Sequence, residues 1–415
     1  MNALLTGLLR KIVKAGRLSI VGPGGTVAEI GDGPSPPIVM RLHDRRLALD
    51  LVLDPNLAFG EAYMDGRFTI EGGDIGHLLA LFASNLGTGT GTGYLNWLWK
   101  MRTAARRLNL SNTSARARKN AAHHYDLSGS LYDLFLDHDK QYSCAFFESP
   151  GDTLETAQMN KKRRIAAKLS LEAGHRVLDI GSGWGGFGIF IASMAPVDVT
   201  GVTLSAEQLT ISNARAASLG MEKWVKFKLE DYRNVQGPFD RIVSVGMLEH
   251  VGLGHYDDYF GTIARLLEDD GVALVHSIGR SDGPGVTNPW IAKYIFPGGY
   301  VPALSEVLPA VERSGLYVTD VEILRLHYAK TLAEWRRRFV ANWDRASRLY
   351  DERFCRMWEF YLAGAEMAFR YQGQMVFQLQ LTKRIDALPL ARDYMLPTTA
   401  LRQVQMAETV VGTRP

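Results

Sequence analysis

Short apolar runs alternate with longer segments of helical periodicity through the middle of the chain. The first run begins at Val177, and the others cover 197–202, 224–229, 239–246 and 271–278. Apolar runs of this length, separated by helical segments, are typical of buried parallel strands that are joined by crossover helices. The pattern therefore predicts an α/β fold whose core is a doubly wound parallel sheet.

The first run ends in a turn at 181–185 in which every second residue is glycine, and a helix-like segment follows at 187–193. Glycine lets a ligand approach the backbone closely, and Asp179 at the strand end can anchor polar groups. The spacing differs from the Gly-x-Gly-x-x-Gly of dinucleotide folds, and the next strand ends at Thr203 instead of an acid. Such turns also occur in plain strand-to-helix connections. The combination nevertheless favours a Rossmann-like methyltransferase sheet that binds S-adenosylmethionine (SAM).

Polar residues follow the later strands as well, at the sheet edge where doubly wound folds bind ligands. The second strand leads to Gln208, and the third leads to Asp231 and Tyr232. The fourth and fifth end near Glu249 and His276. Asp231 has a second interpretation as a helix N-cap. This edge of the sheet is the predicted ligand site.

The chain before the sheet divides into two parts. Residues 1–86 predict a small N-terminal α+β domain, and the alternating Gly-Thr stretch 87–93 is typical of a flexible linker. The following stretch, up to residue 120, carries seven Lys and Arg residues and no acid, with Trp97 and Trp99 among them. Both a segment lying on an anionic membrane and a solvated inter-domain helix fit this pattern. The catalytic domain is predicted at 121–395.

Composition narrows the function further. A chain of 415 residues that is 46% hydrophobic can form two domains, and a net charge of +3 gives little reason to propose a nucleic-acid partner. Cys144 and Cys355 are the only cysteines, too few for a disulfide framework or a zinc site, and no metal cluster is apparent. No apolar run is long enough to span a bilayer, so we expect a cytoplasmic protein.

Several motifs together resemble the cyclopropane-fatty-acyl-phospholipid synthases, within the SAM-dependent cyclopropane and mycolic acid synthase family. They extend from the N-terminal domain almost to the end of the chain. They are the segments 60–66, 124–127, 142–147, 245–252, 276–279 and 327–332, together with the glycine-rich turn.

The resemblance implies a methyl transfer from SAM to the cis double bond of an unsaturated phospholipid acyl chain, followed by proton loss and ring closure. It also implies a bound bicarbonate ion as the base. The positions that match its binding site are Cys144, Glu249, His276, Ile278 and Tyr328, with Cys144 and Ile278 acting through backbone amides. Each side chain also has a structural interpretation: Glu249 in a first helical turn, His276 as a satisfied strand-end histidine, and Tyr328 as a half-buried aromatic.

The same resemblance implies the cofactor and lipid contacts. The SAM-binding positions are Tyr142, Ser143, Asp179, Gly181, Ser182, Gly183, Gly185, Thr203, Leu204, Gln208, Asp231 and Tyr232. The acyl chain is expected along 289–300, with later positions that are also compatible with ordinary core, namely Phe360, Phe369, Met375 and Phe377. Relatives often carry a cysteine at the position of Ala365. Because this chain has no thiol there, a covalent mechanism is disfavoured. Peripheral association with the inner membrane and a homodimer are further expectations.

Three alternatives stay open. The same carbocation can give a methyl-branched or methylene-bearing chain, and the sequence does not distinguish these products. A noncatalytic lipid-binding protein is disfavoured because Glu249, His276 and Tyr328 are all present. A methyltransferase for a soluble oxygen or nitrogen nucleophile would not need the apolar segment within 289–300.

Overall fold

The computed structural model describes residues 2–87 and 129–396. The basic stretch after residue 93, almost all of the predicted linker and the motif at 124–127 lie outside the described residues. In the described part of the chain, no helix is both long enough and apolar enough to cross a membrane.

The N-terminal residues form a four-stranded sheet covered by helices. The sheet order is β2-β1-β3-β4; β1 and β3 pair in parallel and the other pairs are antiparallel. Apolar side chains from both layers, including Leu18, Ile20, Leu47 and Leu78, are fully buried. The elements are α1 (Ala3–Ile12), β1 (Leu18–Val21), β2 (Val27–Ile30), β3 (Ile38–Leu42), α2 (Leu47–Leu53), α3 (Pro55–Met64), β4 (Phe68–Glu71) and α4 (Ile75–Leu86).

A seven-stranded sheet forms the centre of the second part. It includes the five predicted strands, which pair in parallel, so the predicted fold class is confirmed. These strands are β5 (Arg176–Ile180), β6 (Asp198–Thr203), β7 (Val225–Leu229), β8 (Phe239–Val245) and β9 (Leu267–Arg280). The surrounding helices up to β9 are α5 (Gly129–Tyr132), α6 (Leu154–Lys168), α7 (Gly186–Met194), α8 (Ala206–Ser218) and α9 (Tyr256–Leu266).

Two further strands, which the sequence pattern did not reveal, extend the sheet beyond β9. The full order is β10-β11-β9-β8-β5-β6-β7, and β11 runs antiparallel to both of its neighbours. The elements are α10 (Pro289–Tyr294), α11 (Leu304–Arg313), β10 (Tyr317–Ile323), α12 (His327–Ala341), α13 (Trp343–Leu349), α14 (Glu352–Tyr371) and β11 (Gln374–Thr382).

The N-terminal domain packs against α14 and α10. A Cβ at Gly60 on α3 would lie 2.5 Å from the Trp290 indole nitrogen and 2.9 Å from the Phe360 ring, so only glycine permits this approach. The Tyr63 hydroxyl donates a 2.7 Å hydrogen bond to Glu359 on α14. Close apolar packing and buried polar contacts therefore fix the small domain onto the long helix.

Candidate functional site

A cavity of about 200 Å³ lies at the carboxyl ends of β5, β6 and β8. Its lining includes the strand-end residues Asp179, Thr203 and Val245 and the turns that follow them. Every predicted SAM-binding residue except Gly185 lines this cavity. The structure therefore brings these candidates together, although they are spread over about 90 residues of sequence.

The glycine-rich turn has the backbone that close ligand approach requires. Gly181, Gly183 and Gly185 have φ values of +78°, +54° and +80°, in the left-handed region. A Cβ at Gly185 would lie 2.6 Å from the Phe227 ring, so this glycine serves packing behind the turn. A Cβ at Gly183 would meet no atom within 4 Å, which leaves open space on the cavity side.

Asp179 is a buried acid of the cavity with a strongly shifted pKa. Burial raises the pKa of its carboxyl to about 7, and the nearby Lys161 charge opposes that rise. Its Oδ2 atom is buried without a hydrogen-bond partner, as is the Ser182 hydroxyl. Buried polar atoms are normally paired, so these two fit a ligand that supplies the missing partners.

The polar side chains that follow β6 and β7 in the cavity lining already have hydrogen-bond partners within the protein. The Thr203 hydroxyl donates to Gln208 Oε1 at 2.7 Å and accepts from the Ser205 amide. Asp231 accepts from the Arg233 backbone amide and pairs with the Arg233 guanidinium at 2.6 Å. The N-cap interpretation of Asp231 therefore holds, and a ribose or adenine ligand would share these partners.

The sequence analysis did not predict every residue of the cavity lining, and two of those it missed, Lys161 and His250, have strongly shifted pKa values. Lys161 on α6 is 1% exposed and donates to Gln141 Oε1 at 2.6 Å and to Ser143 Oγ at 2.8 Å. Burial lowers its pKa to about 8. No sequence signal separates this lysine from solvated ones, because the stretch 160–164 is polar throughout. His250 also lines the cavity, and burial lowers its pKa to about 4.

A second, apolar cavity of about 400 Å³ runs between the N-terminal domain and α14; we call it the groove. Leu5, Leu9 and Phe59 line it on the N-terminal side. The predicted lipid-facing segment contributes Trp290, Ile291 and Phe296, and α14 contributes Phe360, Ala365 and Phe369 among others.

The expectation that Met375 and Phe377 face this groove is wrong. Both lie on β11, in the cluster that contains Leu379, Leu381 and Val307 behind the sheet. The period of two along β11 places them together on that face, where they are ordinary core.

We call the cavity at the strand ends the cofactor cavity, because the predicted SAM-binding residues other than Gly185 line it. The groove and the cofactor cavity meet at a pair of tyrosines. Tyr142 lines the cavity, Tyr361 lines the groove, and their hydroxyl oxygens are 3.0 Å apart. Burial raises the pKa of Tyr361 to about 12, so its hydroxyl keeps its proton at neutral pH.

Glu249 lies beside the groove and is tied to β9. Its Oε1 accepts a 2.5 Å hydrogen bond from the Ile278 amide, and Ile278 lines the groove. This amide, which the resemblance implied as a donor to the anion, is therefore taken by Glu249. Glu249 Oε2 is buried without a partner, and burial raises the pKa of the carboxyl to about 7. A small ligand that donates a proton would fit this oxygen.

His276 stands two residues before Ile278, so both side chains lie on one face of β9. Its Nδ1 is 3.1 Å from Gln378 Nε2, and burial lowers its pKa to about 3. Because the amide is the donor in that contact, Nδ1 accepts and the neutral ring carries its proton on Nε2. His276 is thus a neutral donor at neutral pH.

Cys144 and Tyr328 belong to the buried cluster against which the partly buried Ile278 packs. The Ala145 amide donates to the Thr331 hydroxyl on α12, the helix that carries Tyr328. Burial raises the pKa of the Cys144 thiol well above its usual range, so a thiolate nucleophile is disfavoured.

Comparison with known proteins agrees with this geometry. The family described as mycolic acid cyclopropane synthetase matches residues 112–379. The cyclopropane-fatty-acyl-phospholipid synthase of Escherichia coli K12 is 36% identical over 361 residues, which cover 86% of this chain and 91% of that protein. The tuberculostearic acid methyltransferase UfaA1 of Mycobacterium tuberculosis H37Rv is 34% identical over 394 residues, covering 92% of this chain and 91% of the relative.

Solved structures that cover about two thirds of the chain give the same result. The cyclopropane synthase MmaA2 of Mycobacterium tuberculosis aligns with a TM-score of 0.61 at 32% identity, covering 64% of this chain and 97% of that one. The mycolic acid cyclopropane synthase CmaA1, solved with SAH (S-adenosylhomocysteine) and CTAB, aligns with the same TM-score at 34% identity and the same coverage. The chain is a SAM-dependent methyltransferase that belongs to the mycolic acid cyclopropane synthetase family.

Proposed function

We propose that this protein is a cyclopropane-fatty-acyl-phospholipid synthase, which transfers the SAM methyl group to the cis double bond of a phospholipid acyl chain and closes a three-membered ring. The observation that carries the proposal is the contact between Tyr142 and Tyr361, where the cofactor cavity, whose lining includes charged and hydroxyl side chains, adjoins the apolar groove. A reaction between a sulfonium methyl and a hydrocarbon needs these two environments side by side.

The groove suits the chemistry of a weak nucleophile. The π electrons of the double bond form the new bond to the methyl carbon, while the sulfur keeps the electron pair of the broken bond. An alkene reacts slowly unless it is held against the methyl group and away from water. The apolar walls of the groove, among them Ile278, Phe296 and Phe369, can hold an acyl chain in this way.

Methyl transfer leaves a positive charge on the acyl chain beside aromatic rings. The Tyr328 ring lies 4.8 Å from Phe369 and 5.8 Å from Trp335, measured between ring centroids. Faces of such rings attract cations, with roughly 0.5–2 kcal/mol for each well-placed ring. This cluster supports stabilisation of a carbocation until a proton leaves the added methyl group and its C–H electrons close the ring.

A bound bicarbonate ion would supply the base for this proton. Glu249 Oε2, buried and unpaired, fits as the acceptor for the proton that bicarbonate carries. The neutral His276 ring and the Tyr328 hydroxyl would donate to its oxygens, with the backbone near Cys144 as a further contact. The Ile278 N–H donates its hydrogen bond to Glu249, so the role of Ile278 in this proposal is to orient the Glu249 carboxylate.

Helix α1 supports lipid access from a membrane surface. Leu5 and Leu9 face both the N-terminal core and the groove, while Leu4 is 66% exposed and Arg10 and Lys11 are exposed in the last turn. An amphipathic helix with exposed leucine and basic residues favours an anionic bilayer. The proposal therefore includes peripheral binding at the inner membrane, and a homodimer as the resemblance implies.

A second candidate function is supported by the match to a tuberculostearic acid methyltransferase over 92% of this chain. In this alternative, the same carbocation gives a methyl-branched or methylene-bearing acyl chain. A methylene forms when a hydride shifts from the methylated carbon to the cationic carbon and the added methyl group then loses a proton. An unsaturated methyl-branched chain forms when the proton leaves a neighbouring chain carbon instead, and a saturated branch requires a separate hydride donor that reduces the cation.

The test is incubation of the purified protein with methyl-trideuterated SAM and vesicles of cis-monounsaturated phospholipid, with and without bicarbonate. Fatty acid methyl esters are then separated and analysed by mass spectrometry, before and after hydrogenation. A product that keeps two deuterons and resists mild hydrogenation supports a cyclopropane, and dependence on bicarbonate supports the base. A product that takes up hydrogen, or that keeps three deuterons, favours the alternative.

A further inference from the structure

Three lysines on α6 are buried, and they differ in their partners. Lys162 pairs with Asp139 at 2.6 Å, and Lys168 pairs with Glu322 at 2.5 Å. Lys161 has no carboxylate within ion-pair distance among the described residues, and its hydrogen bonds go to the neutral side chains of Gln141 and Ser143. Of the three, only Lys161 lines the cofactor cavity.

We propose that Lys161 binds the carboxylate of the amino-acid end of SAM, and that Asp179 binds the ammonium group of the same end. This end of SAM is a zwitterion, and the cavity wall carries one buried residue of each matching type. Burial of a charge is costly unless an opposite charge compensates it. Asp137 and Asp139 favour the charge of Lys161 only from beyond ion-pair distance. A ligand carboxylate would give Lys161 the direct partner that the other two lysines have in the protein.

Neighbouring groups fit this arrangement. Ser143 Oγ accepts a hydrogen bond from Lys161, so its own proton is available for donation to the same carboxylate. Asp179 Oδ2 is buried without a partner and can accept from an ammonium group. The Lys161 charge also favours the ionised form of Asp179, which is the form that would bind an ammonium group.

A purely structural role for Lys161 is less able to explain the geometry. Gln158, on the same helix, donates from Nε2 to the backbone oxygens of Gln141 and Ser143 at 3.1 Å and 3.0 Å. The segment that Lys161 contacts is therefore already attached to α6 by an uncharged side chain. A buried ammonium is not needed for that attachment.

Calorimetric binding of two ligands to the full chain tests the inference. SAH carries the amino-acid end, and 5′-methylthioadenosine lacks it. Lys161→Met should weaken SAH binding about tenfold to a hundredfold, the range for a lost charge-assisted hydrogen bond, and leave 5′-methylthioadenosine within twofold. Equal losses for both ligands, or no loss for either, would overturn the assignment.

Lys162→Met is the matched control, because it removes a buried charge from the same helix outside the cavity. It should change binding of both ligands equally or not at all. If Lys161→Met does not fold, the unmodified protein can be tested with an SAH analogue that lacks only the carboxylate. Equal affinity for SAH and this analogue would also contradict the inference.

The inference depends on SAM binding and not on the lipid product. The binding measurements contain no lipid, so failure of the proposed lipid reaction would leave them unaffected. Conversely, if the protein makes cyclopropane lipids but Lys161→Met shows no selective loss of SAH binding, the proposed lipid reaction stands and the role of Lys161 is wrong.

Discussion

The cofactor cavity and the groove adjoin at two tyrosines, but they are built from different parts of the chain. Most of the cavity lining comes from the ends of consecutive parallel strands and from the segment just before α6. The groove draws on residues from Leu5 in the first helix to Gln374 in the last strand. Its walls exist only because the N-terminal domain packs on α14.

The two sites therefore depend on different features of the fold. A cavity at strand ends relies on local backbone geometry, as the left-handed glycines of its turn show. A groove between domains relies on the packing of surfaces that are distant in sequence. At Gly60, for example, an added Cβ would lie only 2.5 Å from the indole nitrogen of Trp290. Changes near the junction should therefore affect chemistry, whereas changes along the groove should affect lipid use without affecting cofactor binding.

The largest expected effect is that of Glu249→Gln on turnover. This substitution keeps the side-chain volume but removes the charge and replaces one of the two carboxylate oxygens by an NH2 donor. Glutamine can therefore not use separate oxygens to accept from both the Ile278 amide and the proton of the proposed bicarbonate. We expect the rate of lipid methylation to fall about 10²- to 10⁴-fold, the range for loss of acid–base catalysis. SAH affinity, measured by calorimetry, should stay within twofold, because Glu249 does not line the cofactor cavity. Weakened SAH binding with unchanged turnover of the bound complex would contradict this role.

We also expect Glu249→Gln to raise the unfolding free energy relative to the unmodified protein, by an amount that depends on pH. Burial raises the pKa of Glu249 to about 7, so the folded protein holds a proton that the unfolded chain loses near pH 4.3. Between these two pH values only the unfolded chain releases the proton, so the stability that neutral Glu249 contributes to the folded protein falls as the pH rises from about 4. This contribution is fully lost above about pH 7. Relative to the unmodified protein, Glu249→Gln should gain about 3 kcal/mol of unfolding free energy between pH 4 and pH 8. Denaturant unfolding at both pH values measures this difference, and a constant difference would show that burial of the charge costs little.

The sequence predicted the cavity better than the groove for a physical reason. Strand ends such as Asp179 and Thr203 are marked locally, by an apolar run followed by glycine or a polar residue. Met375 and Phe377 carry no such mark, and their hydrophobicity fits a channel as well as a core. Lys161 was missed because burial of a lysine depends on contacts with Gln141 and Ser143 that the helical pattern does not encode.

A smaller effect is expected from filling the groove at Gly364 on α14. A Cβ at this position would meet no atom within 4 Å, and Gly364 lines the groove. The first side-chain carbon of Gly364→Leu therefore has room, and we expect the added side chain to lower kcat/KM for vesicle lipid on the order of 10- to 100-fold by displacing the acyl chain. SAH affinity should not change.

The matched control is Gly261→Leu on α9, which also has open space around its Cβ and lines neither cavity. It adds the same side chain to a helix and should leave lipid turnover unchanged. If both variants lose activity equally, the groove is not the path of the acyl chain.

The smallest effects are expected at the polar contacts between the domains, and they differ by burial. Arg353 pairs with Asp65 at 2.8 Å, but both side chains are more than 40% exposed, so Arg353→Met should cost less than about 1 kcal/mol. The Tyr63 hydroxyl donates to the buried Glu359 carboxylate, so Tyr63→Phe should cost about 1–3 kcal/mol. Denaturant unfolding gives both values. Because Arg336 also pairs with Glu359 at 3.0 Å, the Tyr63 loss should lie near the lower end of its range, and equal costs for the two variants would show that burial does not set the strength of this interface.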